Sequence, residues 1–184
     1  MDNIDICKIE NLPKNIINQS KKNRIERSGV IIYTICDNKF YFGLGVDHES
    51  GDITDFGGGI KKKDFSLIDG TLREFTEESL GVFGKFSHDE IEKCICVYNQ
   101  HTMIVFIPLK LDKNKINKTF NQRLKYVKEP EVDSIFWITK ETFINLVYGK
   151  KVYDEYEKCE RSMYTRIRSV FSSALNKNNF ISCL

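Results

Sequence analysis

Three consecutive glycines followed by a helix-forming segment with acid along one side constrain this chain more than any other feature. Residues 56–83 read FGGGIKKKDFSLIDGTLREFTEESLGVF. Ile68, Leu72 and Phe75 recur at helical spacing, which predicts a helix anchored to a core on that side. Glu74, Glu77 and Glu78 stand at i, i+3 and i+4, so their carboxylates share another face, and Arg73 lies four residues before Glu77. Ser66 followed by Asp69 has the form of a capping box, and Gly81 sits where a left-handed C-terminal residue belongs. These signals bracket a helix of about four turns.

Carboxylates this close repel one another, by about 4 kcal/mol per pair at 4 Å and an effective dielectric near 20 before screening. Such a face invites a cation, and an oxygen-only donor set favours Mg²⁺ or Mn²⁺ over Zn²⁺. The alternative is a solvated acidic face with Arg73 as an internal salt bridge. Gly57, Gly58 and Gly59 permit close backbone approach, with carbonyls free to face a metal or amides a phosphate. The G-x4-G-K-[ST] pattern of a P-loop is absent.

These residues resemble the Nudix box, G-x5-E-x7-R-E-U-x-E-E-x-G-U with U aliphatic. Arg73, Glu74, Glu77 and Glu78 match its R-E-x-x-E-E core, and Gly59 lies at the family's distance before Arg73. The box's first Glu, which in the family braces the arginine, has no direct counterpart. Counting from Gly59 the position is Phe65; aligning the glycine run makes it Asp64 with one residue inserted. Ser79-Leu80-Gly81 also delays the closing glycine by one residue.

The resemblance covers roughly residues 27–147 and implies an α/β Nudix fold, an α/β/α sandwich with a mixed, curved sheet and a loop-helix-loop catalytic box. It implies metal-dependent hydrolysis of the diphosphate linkage in a nucleoside diphosphate joined to another moiety. Glu74, Glu77 and Glu78 would hold Mg²⁺ or Mn²⁺, with a backbone carbonyl from Gly58 or Gly59, and Arg73 would fix the geometry. Lys61, in the loop bordering the family's substrate cleft, Arg27, Arg123 and Glu131 are candidate substrate contacts. The general base is open among Glu74, Glu129 and Glu131.

The rest of the chain divides into a polar arm over 1–26, a hydrolase domain over 27–150, and an amphipathic helix over 151–184. The arm has one apolar knot, Leu12, Pro13, Ile16 and Ile17, and a basic end, Lys21, Lys22, Arg24 and Arg27. The β-branched run from Ser28 and the segment KFYFGLGVD flank Asp37-Asn38 at hairpin spacing. Strands are expected again over 93–98 and 102–109. Ile116, Phe120, Leu124 and Val127 predict a short helix, and the segment around Trp137 a strand followed by a helix. Val152, Tyr156, Cys159, Met163, Ile167, Val170 and Ala174 continue at helical spacing, as a sheet-packing helix or a homodimer face.

Six scattered cysteines without a CxxC pair suit reduced thiols in a cytoplasmic protein better than zinc. Neither a secretory leader nor a run of 18 apolar residues is present, so membrane insertion is not expected. A net charge of +2 does not by itself argue for nucleic acid. Three functions compete: a pyrophosphohydrolase of small nucleotides, an mRNA cap hydrolase using the basic arm and the basic 110–127 segment to hold capped RNA, and a non-catalytic Nudix-fold binding protein.

Overall fold

The computed structural model describes residues 5–12, 25–177 and 180–184. Its centre is strand β2 (Arg27–Cys36), whose apolar residues alternate between two cores: Val30 and Ile32 point into one, Ile31 into the other. Strand period two puts successive side chains on opposite faces, so an unbroken β-branched run can serve a sheet covered on both sides. β3 (Lys39–Asp47) returns antiparallel through a turn in which Asp37 and Asn38 have φ of 51° and 57°, the left-handed geometry of a type I′ hairpin. β4 (Ile53–Thr54) pairs with β3, and β5 (Phe56–Gly59), the glycine run, pairs antiparallel with the start of β2. The glycines are therefore a strand rather than the loop expected of them.

Helix α1 (Leu67–Glu78) carries the three acids. Ser66 caps it by accepting from the Asp69 amide at 3.1 Å. At its other end Gly81 is left-handed as expected, with φ of 63°, and so is Leu80 before it, with φ of 53°; the Leu80 amide reaches the Glu77 carbonyl at 3.3 Å while the Gly81 amide reaches that of Thr76 at 3.0 Å. That bond pair is a Schellman closure, in which the left-handed turn spans both residues. Short helix α2 (His88–Glu92) precedes β6 (Ile95–Tyr98) and β7 (Thr102–Pro108), which form a hairpin, β7 running parallel to β2. Helix α3 (Lys113–Leu124), strand β8 (Val132–Thr139), which pairs with β3, and helix α4 (Lys140–Val147) follow.

The structure adds to the reading of the N-terminal arm and overturns that of the C-terminal segment. The arm contributes Asp5–Lys8 as edge strand β1, paired with β6, and buries Ile9 and Leu12 beneath it; Lys21, Lys22 and Arg24 lie outside the described residues. The 151–184 segment is not one helix. Val152–Asp154 (β9) and Cys159–Arg161 (β10) form a hairpin, and only Thr165–Lys177 (α5) is helical. Asp154 organises that hairpin: it accepts from the amides of Tyr156 and Glu157 and from Arg161 Nε at 2.7 Å, local bonds that compete with a helix. Met163 and Ile167 keep the apolar spacing because hairpin and helix bury residues in the same core.

The result is the expected α/β/α sandwich, with α1 and α3 packed in one core and α4 and α5 in the other. No helix among the described residues is long and apolar enough to cross a membrane. In the first core Phe75 of α1 stacks on Phe83 with ring centroids 5.6 Å apart, and both meet Phe56 edge-on. Phe56 immediately precedes the glycines, so this aromatic trio sets the acidic helix against the glycine strand. Phe75→Ala is expected to lower stability by about 3–5 kcal/mol; a urea midpoint equal to wild type would mean that the trio does not anchor the helix.

Candidate active site

The site begins with what the glycines leave open. A Cβ on Gly58 would stand 2.6 Å from Glu74 Oε2, so the helix carboxylate lies against bare strand backbone. One turn on, Glu78 Oε2 accepts the Gly57 amide at 2.7 Å. Glu74 is only 5% exposed, whereas Glu77 faces solvent. The three acids thus share one side of α1 but occupy three environments.

Arg73 ties this arrangement together. Its Nε and Nη2 grip Asp64 at 2.8 and 2.9 Å, Nη2 also donates to the Gly59 carbonyl at 3.1 Å, and Nη1 serves Glu74 and, at 3.2 Å, Glu77. Asp64 accepts from the Lys61 amide as well, at 2.7 Å. The brace left open between Asp64 and Phe65 is therefore Asp64; Phe65 is 100% exposed. The shorter carboxylate reaches because the loop carries one more residue. Hydrogen bonding to Arg73 holds the Asp64 carboxyl down at about 2.

Beside the glycine strand, Arg27 Nη1 and Nη2 hold Asp55 at 2.7 and 2.6 Å, and Nη2 donates to the Gly57 carbonyl at 2.7 Å. Burial, with Asp55 adding repulsion, pushes the Glu78 carboxyl up to about 9 against the pull of the Gly57 amide and Arg27. Next to these groups opens a cleft of about 590 Å³, within the range of small-molecule sites. Gly57–Gly59 and Glu78 line it on one side; Asp47, Glu131, His101, Tyr164 and Arg166 are among its other walls. Glu77, Glu78, Glu129 and Glu131 share a smaller adjoining hollow.

The structure thus brings together Arg73, Glu74, Glu77, Glu78, Gly58, Lys61 and Glu131. Arg27 lines the cleft, with its guanidinium taken up by Asp55 and the Gly57 carbonyl. Arg123 donates to the Leu80 carbonyl, closing the end of α1, and is not among the residues lining the cleft. His48 pairs with Asp133 at 2.7 Å. Asp55, Tyr164 and Arg166 escaped sequence reasoning. Asp55 left a trace, as the one charge between the apolar residues that lead into the glycines; Tyr164 and Arg166 left none, since only the unforeseen hairpin places them at the cleft.

The donor set suits a hard cation. It is all oxygen, and the Lys61 ammonium, 3.5 Å from Glu74 and 4.0 Å from Glu77, already stands as a positive charge between two of the acids. Among the described residues no three His, Cys, Asp or Glu side chains converge as a ready-made shell. An ion would therefore replace part of the Lys61 and Arg73 bonding.

No family model matches the chain, and no curated protein matches it. Among solved structures it is similar to a C. elegans Ap4A hydrolase in a binary complex, with 14% identity over 84% of this chain and 99% of that one and a TM-score of 0.44. It is also similar to the NUDIX domain of Shewanella oneidensis NrtR complexed with ADP ribose, with 11% identity over 88% and 95% and a TM-score of 0.47. At these values they stand as likenesses, and what the site can do is argued from its own residues.

Two predictions concern stability. Asp64→Ala should cost about 2–3 kcal/mol by stranding Arg73, whereas Phe65→Ala should stay within about 0.5 kcal/mol; equal urea midpoints for the two would remove Asp64 as the brace. The pH dependences of Asp64 and Glu78 have opposite signs. The Asp64 contribution is fully present above the ordinary carboxylate value of 3.8 and is lost as pH falls toward about 2. Glu78 keeps its proton when folded between 4.5 and about 9, where the unfolded chain has shed it, so stability falls as pH rises through that window. In EDTA, Glu78→Gln should flatten this alkaline decline; an unchanged slope would show that Glu78 ionises normally in the fold.

Proposed function

We propose that this chain is a Nudix-type pyrophosphohydrolase that uses Mg²⁺ or Mn²⁺ to cleave the diphosphate linkage of a nucleoside diphosphate joined to a second moiety. The observation that carries the reading is the placement of Glu74 and Glu78 against the bare backbone of Gly57 and Gly58, at the edge of a cleft large enough for a nucleotide. Glu74, Glu77 and Glu78, with a Gly58 carbonyl, would hold the ion. Bound there, the ion would neutralise phosphate charge and lower the pKa of the attacking water.

The protein's own part is positioning. Arg73 holds Glu74 and Glu77 in reach of each other and ties them to the loop through Asp64. Glu74 is engaged by Arg73 and Lys61, and of Glu129 and Glu131 it is Glu131 that lines the main cleft, which favours Glu131 as the base. Its exposed carboxylate lines the cleft beside Glu78, and its backbone is held by the His48 amide at 2.9 Å. As the water oxygen bonds to phosphorus, its proton passes to Glu131, the bridging P–O bond breaks, and the departing phosphate keeps the electron pair.

Capped RNA as substrate gains no support here. Within the basic 110–127 segment Lys113 sits over the Tyr41 ring at 3.2 Å and Arg123 holds Leu80, so both cations already serve the fold.

A thermal melt in EDTA against one in millimolar Mn²⁺, run beside a hydrolysis screen of dinucleoside polyphosphates, nucleotide sugars, oxidised nucleotides and capped RNA, tests the proposal. A cation that binds only the folded site at one hundred times its Kd contributes about 2.7 kcal/mol, which is several degrees for a domain of this size. The Glu74/Glu77/Glu78→Gln triple variant should lose that rise, and Glu78→Gln alone should lower kcat/KM by about a hundredfold or more. An equal rise in wild type and triple variant would place the cation elsewhere. A Mn²⁺-stabilised wild type that turns over none of the substrates would leave a binding protein.

A further inference from the structure

Arg27 heads the central strand and lines the cleft, yet its guanidinium is taken up by Asp55 and the Gly57 carbonyl. Its side chain is 12% exposed, and that of its partner Asp55 is 0% exposed. A buried ion pair is a poor way to gain stability, because apolar residues of similar volume often do as well or better. Something other than stability has to account for it, and the directions of its bonds supply the account.

The pair sits in a slot made by two missing side chains. Gly29 and Gly57 face each other across β2 and β5; a Cβ on Gly29 would fall 1.9 Å from Asp55 Oδ2, and one on Gly57 would fall 2.1 Å from the Gly29 Cα. Only glycine permits that approach. In the slot the planar guanidinium grips both Asp55 oxygens and still has an N–H for the Gly57 carbonyl, a set of bonds that a lysine ammonium cannot reproduce. The same Gly57 donates its amide to Glu78 Oε2. One glycine therefore connects the buried pair to the helix carboxylate, through its carbonyl on one side and its amide on the other. Arg27 also offsets the Asp55 charge, which would otherwise face Glu78 uncompensated.

We propose that Arg27, held by Asp55, is a positioning residue that fixes Gly57 so that its amide presents Glu78 to the metal. This rests on the function proposed above in making Glu78 a ligand, and it gives Arg27 a positioning role beside the expected contact with substrate. The arrangement is independent of the Arg73 brace: Arg73 secures the loop and Glu74 from one side of the glycine strand, and Arg27 secures Glu78 from the other.

Arg27→Lys tests this, because it keeps the charge and removes the fork. Two quantities are read: hydrogen exchange of the Gly57 amide in metal-free protein, with the Ile31 amide as control, and the Kd for Mn²⁺ by calorimetry. Exchange at Gly57 should rise about tenfold or more with Ile31 unchanged, and the Mn²⁺ Kd should rise by about ten- to a hundredfold, as for other groups that orient metal ligands. A lowered melting temperature with Gly57 exchange and Mn²⁺ Kd both within twofold of wild type would make the pair purely structural and overturn the proposal. Should Arg27→Lys not fold, Asp55→Asn, which keeps the shape but releases the guanidinium, carries the same two readouts with the same expected directions. If wild type itself binds no Mn²⁺, the proposed function falls, and the Gly57 amide alone decides whether Arg27 holds the strand.

Discussion

The site depends on one guanidinium. Arg73 joins a loop, a strand and a helix at once: Asp64 from the loop, the Gly59 carbonyl from the strand, and Glu74 and Glu77 from its own helix. Each bond is charge-assisted and the fork is planar, so the group restricts orientation as well as distance. Its acceptors could not stand this close without it, because the helix places Glu74 and Glu77 within reach of each other and the loop adds a third carboxylate. The acidic face is stable in the absence of metal because this cation, with Lys61 beside it, occupies its centre.

Around that centre the protein holds charge in graded environments. Glu77 is open to water, Glu74 is nearly buried but doubly paired, and Glu78 is desolvated beside Asp55 with a backbone amide as its hydrogen-bond donor. A carboxyl raised toward 9 is one that the fold prefers neutral, and a divalent ion would reverse that preference by supplying the missing counter-charge. The repulsion that disfavours the empty site thereby becomes affinity for the occupied one. Much of the fold serves to deliver these groups: the aromatic trio of Phe56, Phe75 and Phe83 sets the spacing between helix and strand, and glycine at 57 and 58 lets carboxylates meet backbone.

Local signals were legible wherever they were self-contained. The cap at Ser66, the hairpin turn at Asp37-Asn38 and the apolar spacing of α1 each rest on bonds between residues a few positions apart, and all are found. The C-terminal hairpin departs from the expected helix because the helical spacing of Val152, Tyr156 and Cys159 is coincidental, Tyr156 being exposed, while the Asp154 bonds that turn the chain leave only a faint trace in the sequence. The choice between Asp64 and Phe65 could not be made from spacing, since an inserted residue can be absorbed at any point in a loop.

What the sequence by itself determined was the chemistry: three carboxylates on one helical face, an arginine beside them, and glycines at a set distance upstream, because helical periodicity alone brings those groups together. Only the tertiary structure decided which side chains serve the site from elsewhere in the chain. Asp55 and Arg27 lie 28 residues apart and meet because β2 and β5 pair through two facing glycines; Tyr164 and Arg166 reach the cleft because the hairpin docks on β4, where the Tyr164 amide bonds the Ile53 carbonyl at 2.9 Å. Strand register and docking are properties of pairs of distant segments, and local spacing in either segment does not encode them.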